Sequence, residues 1–330
     1  MKILTVTNML QGTNAANLTQ GVFVAEQIES IRSIRDTQVD VVVVEGFSRK
    51  SAYLQSIFTI LSKVRRGRYD AIHYHFGLTA WSAPFIRWIT GIPVVVTLHG
   101  SDVAGARWMR AVSRFAVRFA DVCIAVSDVV KRDIDKIVQH SVVVPCAVND
   151  KLFMPPSHRP HSRDDLIIVF PSSPTRPEKD YPLFSVTLKH LRGMVSKNIV
   201  ERHIDGLDRQ GVCDLLQNAD VMLMTSQREG SPQAVKEALA CALPVVSVDV
   251  GDVAGLLEGV SRCLVVRERD GHQLALALVQ VLDGGRCTEG PARLEERGYL
   301  SAQVAQRIYD VYRMTVPDEA GEAGYGSRRK

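Results

Sequence analysis

The 330-residue chain is 46% hydrophobic, 23% charged and 6% aromatic, proportions that exclude a fibrous or wholly disordered protein and leave room for two domains. Its formal net charge of +4 is uneven: residues 1–155 hold 18 Lys+Arg against 12 Asp+Glu, and the remainder 22 against 24, so the first half suits an anionic partner. No apolar run approaches the roughly 20 residues of a bilayer span, and MKILTVTN enters a strand pattern instead of a signal peptide, which predicts a cytoplasmic protein.

In chain order, the β-branched runs KILTVTN, VDVVVV, AIHYH, PVVVTLH, VCIAVS and SVVVPC alternate with longer segments at helical spacing, among them VFVAEQIESI and YLQSIFTILSKV. Such alternation predicts a doubly wound, Rossmann-like α/β domain over residues 1–153, its parallel sheet covered on both faces. Within it, ARWMRAVSRFAVRFA reads as an amphipathic helix. Arg107, Arg110, Arg114 and Arg118 form one stripe, and Trp108, Val112, Phe115 and Phe119 another. The helix either makes a peripheral contact with an anionic membrane or packs its aromatics on the sheet with the arginines in water; the second reading is favoured.

Residues 154–165, MPPSHRPHSRDD, lose the apolar pattern and read as a linker. Apolar runs resume in LIIVFPSS, VMLMTS, PVVSVDV and CLVV, predicting a second α/β domain over 166–300, in which NIVERHID is an unusually polar strand candidate. SAQVAQRIYDVYRM predicts a helix over 301–315 that packs back towards the first domain, and the Gly-rich residues 316–330 a disordered tail. The six cysteines are all more than 20 positions apart, which excludes CxxC spacing and predicts buried thiols in a reducing compartment.

Open parallel sheets bind ligands beyond the carboxyl ends of their strands, so the candidates are sought in those loops. His99 ends PVVVTLH, beside Gly100; an isolated histidine is more often structural, but this location shifts the balance towards function. Arg176 and Lys179 lie three positions apart in a loop that Pro174 and Pro177 restrict, so that two cations can be presented together to a phosphate. In REGSPQAVKEA, Ser231 is the expected N-cap and Pro232 the first helical residue, leaving N–H groups free for an anion. Glu229 precedes this helix and Glu237 lies about one and a half turns into it, so the two acids need not form an acid–base pair.

Other chemistries lose their support. No GxGxxG follows the first strand and no GxxxxGK[ST] occurs, against dinucleotide oxidoreductases and P-loop NTPases. His73 and His75 share one strand face without a third ligand nearby and read as a structural pair. Asp133-Ile134-Asp135 spells DxD but falls in a helical pattern, as a solvated face.

Together these features resemble the retaining GT-B glycosyltransferases of family 4, the glycosyl transferases group 1. Glu229 to Glu237 matches the E-x7-E motif, followed by ALACALPVV, and the likeness runs through TLHGSD, IAVSDVV, VPCAVNDKLFMPP, PSSPTRPEKDYPLF and NADVMLMTSQREGSP. The resemblance implies two Rossmann-like domains facing across a cleft, with no metal and no cofactor, the nucleotide-sugar being a substrate. It implies that Arg176 and Lys179 neutralise the donor diphosphate, that Glu237 holds the ribose and Glu229 the sugar hydroxyls, and that the backbone of Gly230, Ser231, Pro232 and Gln233 binds phosphate or sugar oxygens. His99 matches the histidine that reaches the transferred sugar, and Gly21 the first-domain glycine near the phosphates. Ala147, Asn149 and Ala242 depart from the family's usual Gly, Asp and Gly.

The implied reaction moves a sugar from a nucleotide-diphosphate-sugar to a glycan, lipid-linked or small-molecule hydroxyl acceptor in surface polysaccharide or glycolipid synthesis. No nucleic acid is involved, and the enzyme is cytoplasmic or peripheral on the inner face of the membrane. Phosphorylase or nucleotide-sugar epimerase chemistry and a non-catalytic sugar-nucleotide-binding subunit remain open as alternatives.

Overall fold

A computed structural model describes residues 1–11, 21–46, 49–100, 102, 105–157, 165–282 and 284–316. Each of the six apolar runs of the first half becomes a strand: β1 (Lys2–Thr7), β2 (Gln38–Val43), β3 (Ala71–His75), β4 (Val94–Leu98), β5 (Val122–Ala125) and β6 (Ser141–Val143). They form one parallel sheet in the order β2-β1-β3-β4-β5-β6. Near-continuous β-branched composition produces this because a strand covered on both faces has no solvent side to make polar. β3 and β4 are buried at every residue.

Helices cover both faces of that sheet. Ile60, Ala83, Ile86, Ala116 and Val117 bring the helices Ser51–Arg66, Ala83–Thr90 and Arg107–Val117 into one core. On the other face, Val24, Ile28 and Ile31 of the helix Val22–Arg32 pack with Val304, Ile308 and Tyr312 of the helix Ser301–Thr315. The chain's last described helix therefore completes the first sheet's core.

The second sheet contains β7 (Asp165–Phe170), β8 (Asn198–His203), β9 (Val221–Met224), β10 (Val245–Val248) and β11 (Leu264–Val266), all parallel, in the order β11-β10-β9-β7-β8. NIVERHID is β8, and its polarity has a plain cause. It sits at the sheet's edge, paired only with β7, so Arg202 reaches solvent, while partly buried Glu201 accepts from the Tyr181 hydroxyl at 2.6 Å and pairs with His203 at 2.8 Å. Residues 158–164 of the linker segment and 317–330 of the tail lie outside the described residues.

Two expectations are corrected. The aromatics of the basic helix do not pack on the sheet: Trp108 is 60% exposed, and Phe115 and Phe119 are close to half exposed. The helix instead buries the small residues Ser113 and Ala116 with Val117, because a small face allows the closest approach to the sheet and rotates both stripes outward. Cys146 is likewise not a buried thiol but partly exposed, bordering a cleft; the other five cysteines are buried, and all six are free.

Candidate functional site

Strand order reverses between β1 and β3 in the first sheet and between β7 and β9 in the second. At such reversals adjoining loops diverge and leave a crevice beyond the strands' carboxyl ends. A cavity of about 470 Å³ lies there, lined from the first sheet by Met9, Phe23, Phe76, His99 and Cys146, and from the second by Arg176, Lys179, Arg228, Glu229 and Ser231, among others. A smaller side pocket of about 190 Å³ shares Phe23, Lys179, Glu229 and Gln233 with it and continues to Arg209 and Glu237.

The two lobes touch at glycine. A Cβ on Gly100 would stand 3.2 Å from Gly230 Cα, and one on Gly230 would stand 3.2 Å from the His99 carbonyl oxygen, so backbone meets backbone across the cleft only because neither residue carries a side chain. Gly21 sits apart from this contact. With φ at 74° it opens the helix Val22–Arg32 and is pressed against the backbone of Met9 and Leu10, while its neighbour Phe23 lines the cavity.

Arg176 and Lys179 both line the cavity but have different partners. Lys179 Nζ donates to Glu229 Oε1 at 2.6 Å, with both side chains almost enclosed, whereas Arg176 is largely exposed and pairs with Glu178. The E-x7-E stretch is also shifted by one residue from expectation. The helix runs Gln233–Ala240 with Pro232 as N-cap, and no side chain caps it. Ser231 Oγ instead accepts from Lys236 Nζ at 3.3 Å, and Pro232 has no N–H to offer, so Gly230, Ser231 and Gln233 are the backbone donors of this segment. Gln233 Oε1 is buried with no hydrogen-bond partner among the described residues, in a wall shared by both pockets, where a ligand hydroxyl would satisfy it.

Glu237 is buried on that helix, and Arg209 NH1 reaches its Oε1 at 2.8 Å. The same guanidinium donates through Nε and NH2 to both oxygens of Glu26, each at 3.2 Å, and lies 4.5 Å over the Phe153 ring. Glu26 belongs to the helix Val22–Arg32, so one arginine ties a carboxylate of each lobe together. Lys236 and Gln233 add a second seam, donating to the carbonyls of Cys146 and Ala147. Burial lowers the Lys236 ammonium pKa. Sequence reasoning missed Glu26, Arg209 and Lys236. Lys236 stood inside the quoted stretch, and a lysine on the inward face of a helix was the one available signal.

His73 and His75 are fully buried. His73 bonds the Tyr312 hydroxyl at 2.6 Å and Thr97 Oγ1 at 2.7 Å, and His75 Nδ1 lies 3.3 Å from His99 Nε2. The pair is structural, and it also supports His99 from behind. Among the described residues no group of three His, Cys, Asp or Glu is placed to hold a metal ion. Asp133 and Asp135 are exposed on either side of buried Ile134, and Asp135 pairs with Lys131, as a solvated face should. Asp102, in TLHGSD, carries no sequence signal of its own but is buried behind His99. Its carboxylate accepts from the His99 N–H at 2.8 Å and the Gly77 N–H at 2.9 Å, fixing the loops after β3 and β4 together.

These buried groups set a pH dependence. Burial pushes His73 well below 6.5 and His75 to about 3, so below pH 6.5 the unfolded chain takes up protons that the folded one refuses, and stability falls with acidification. Burial raises Asp102 to about 6; in its window, from 3.8 to about 6, the folded state holds the extra proton and stability rises on acidification. His99, which burial also holds well below 6.5, adds to the loss, and Glu237 and Asp252, which burial raises, add to the gain; between pH 7 and 5 the three histidines dominate, because their unfolded value of 6.5 lies inside that window and those of the acids lie below it. The urea midpoint is expected to be lower at pH 5 than at pH 7, and an equal or higher midpoint at pH 5 would contradict the assignment.

Residues 9–152 match the family described as Glycosyltransferase Family 4, and residues 187–284 that described as Glycosyl transferases group 1. TuaC of Bacillus subtilis, a glycosyltransferase named for teichuronic acid biosynthesis, is 28% identical over 241 residues, 64% of this chain and 61% of its own. An MMP α-(1→4)-mannosyltransferase of Mycolicibacterium hassiacum is 26% identical over 267 residues, 67% and 64% of the respective chains. The chain thus spans less than two thirds of the length of these curated relatives. Among solved structures, sucrose-phosphate synthase from Thermosynechococcus elongatus superposes with a TM-score of 0.80 at 14% identity, over 95% of this chain and 99% of that one, a shared GT-B fold.

Proposed function

We propose that the chain is a glycosyltransferase of the kind that the two matched family models describe, and that it moves a sugar from a nucleoside-diphosphate sugar to a hydroxyl acceptor in the assembly of a surface polysaccharide or glycolipid. One observation carries the reading: cations and a helix start from the second lobe meet His99 of the first lobe in a single cleft. Residues 1–153 serve as the acceptor lobe and 166–300 as the donor lobe.

Breaking the anomeric C–O bond leaves charge on the departing diphosphate, and donors fixed in advance act most strongly where charge develops. In this reading Lys179, Arg176 and the N–H groups of Gly230, Ser231 and Gln233 receive that charge. A helix terminus offers an anion roughly 0.3–2 kcal/mol, well short of the 8 or more that catalysis requires, so the two cations and closure at Gly100 and Gly230 contribute most. Glu229 takes the sugar hydroxyls, His99 faces the transferred sugar, and Glu237 takes the ribose in the side pocket. The acceptor oxygen bonds to C1 on the face the diphosphate leaves, and the hydroxyl proton passes to the departing phosphate oxygen, giving retention. With protein cations on the diphosphate, the step needs no metal ion.

The test combines calorimetric titration of uridine, guanosine and adenosine diphosphates with NMR of the product anomer. Tight binding of one diphosphate, turnover that survives EDTA and a product retaining the donor's anomeric configuration are expected. Phosphate-dependent cleavage, an isomerised donor, or binding without turnover over a broad acceptor panel would replace the reading by a phosphorylase, an epimerase or a binding subunit respectively.

A further inference from the structure

We infer that the outer surface of the helices Ser51–Arg66, Ala83–Thr90 and Arg107–Val117 is a docking face for an anionic lipid bilayer, which presents a membrane-borne acceptor to the cleft. The three helices cover the same face of the first sheet, and they adjoin one another directly or through the turn Thr79–Ser82. Their outward sides therefore form one continuous surface.

That surface is unusual in two independent respects. It exposes large apolar side chains that a core would bury: Trp88 is 85% exposed, Phe58 75%, Leu54 63% and Trp108 60%, with Phe85 and Ile89 about half exposed. An apolar concentration of this kind on the surface marks an interaction site. It is also strongly basic. Residues 49–119 contain eleven Lys and Arg against two acids, Asp70 and Asp102; Asp102 is buried, none of the three helices contains an acid, and of their basic residues Arg87 is neutralised, by Asp121 just beyond the third helix at 3.0 Å. Among the described residues no carboxylate pairs with Arg107, Arg110 or Arg114.

Charge complementarity selects the occupant. A protein partner for so many aromatics would be expected to leave some acids on the face for specificity, whereas arginines interleaved with exposed tryptophan and phenylalanine match anionic headgroups above an acyl boundary. Among the described residues no helix is long and apolar enough to cross a membrane, so this contact is peripheral. The face also reaches the site: Gly105 lines the cleft, and the helix begins two residues later at Arg107. The identity of the acceptor rests on the reading above; the docking itself does not.

Flotation of the full chain with vesicles separates the two, because it needs no nucleotide. The protein should float with phosphatidylcholine vesicles containing phosphatidylglycerol and stay behind with pure phosphatidylcholine at about 0.1 M salt. The double variant R110E/R114E should lose at least about tenfold of that partitioning. The variant W88S/W108S should keep attraction at low salt but lose the part that survives about 0.5 M salt. Both should retain the parent's melting temperature and its diphosphate affinity measured without vesicles. As a readout without mutation, the parent's tryptophan fluorescence should shift to the blue on adding anionic vesicles. A parent that ignores anionic vesicles, R110E/R114E floating like the parent, binding to nucleic acid in place of vesicles, or a dimer that hides the face would each overturn the inference. Failed diphosphate binding with intact flotation would overturn the proposed function alone.

Discussion

Lys179→Met is expected to lower turnover about 10²–10³-fold at saturating donor, the loss typical of removing one preorganised donor from a developing negative charge. The reason is geometric. Lys179 Nζ is held at 2.6 Å by Glu229, and the two side chains are only 13% and 12% exposed, so the charge is aimed into the cleft in a position that solvent scarcely screens. Its removal also leaves Glu229 without its cation, which adds repulsion at the position proposed for the diphosphate. Arg176→Ala is the internal comparison. Arg176 is far more exposed and leans on Glu178, so about a tenfold loss is expected there. Steady-state kinetics with both variants, together with calorimetric diphosphate affinity, check the pair. A Lys179 variant within about fivefold of the parent would remove the lysine from the diphosphate site.

Arg209→Met is expected to destabilise the fold by about 3–5 kcal/mol, as when one partner is removed from a buried ion pair. Met keeps much of the side-chain volume over Phe153 but strips the cation from Glu237 and Glu26. Burial pushes the Glu237 carboxyl upward, and Arg209 opposes that shift; without it, Glu237 takes up a proton or remains charged and unpaired. The sign of the pH effect follows. An acid whose folded pKa is raised binds more protons folded than unfolded, so the variant's deficit should shrink as the pH is lowered towards 5. Urea denaturation at pH 7 and pH 5 measures both parts. A loss below about 1 kcal/mol, or a deficit that widens on acidification, would show that the arginine is not the partner Glu237 depends on. Donor affinity should fall as well, because the same guanidinium holds Glu26 of the first lobe against the pocket wall.

The departures from family pattern acquire physical content in the folded chain. Ala242 keeps a left-handed φ of 55°, a conformation in which glycine would carry less strain. The Ala147 carbonyl accepts from Gln233 across the seam between lobes, and Asn149 Nδ2 donates to Glu26 Oε1 at 3.1 Å, steadying from within the first lobe the carboxylate that Arg209 grips.

Two parallel sheets, the identity of their strands and the loops where chemistry collects were legible in the residue pattern. Those features are periodic and local: β-branched runs fix doubly covered strands, and a ligand crevice follows from their carboxyl ends. β8 was hard to read because an edge strand faces water, which erases the apolar signal. The exposed Trp108 was misjudged because a helical pattern gives two stripes but not the angle at which the helix settles on its sheet. Which charges meet follows from the folded chain alone. Glu26 and Arg209 lie 183 positions apart and meet because the two sheets face each other, whereas Lys179 and Glu229 lie 50 apart and meet because β7 and β9 are neighbours in one sheet; no local spacing encodes either pairing.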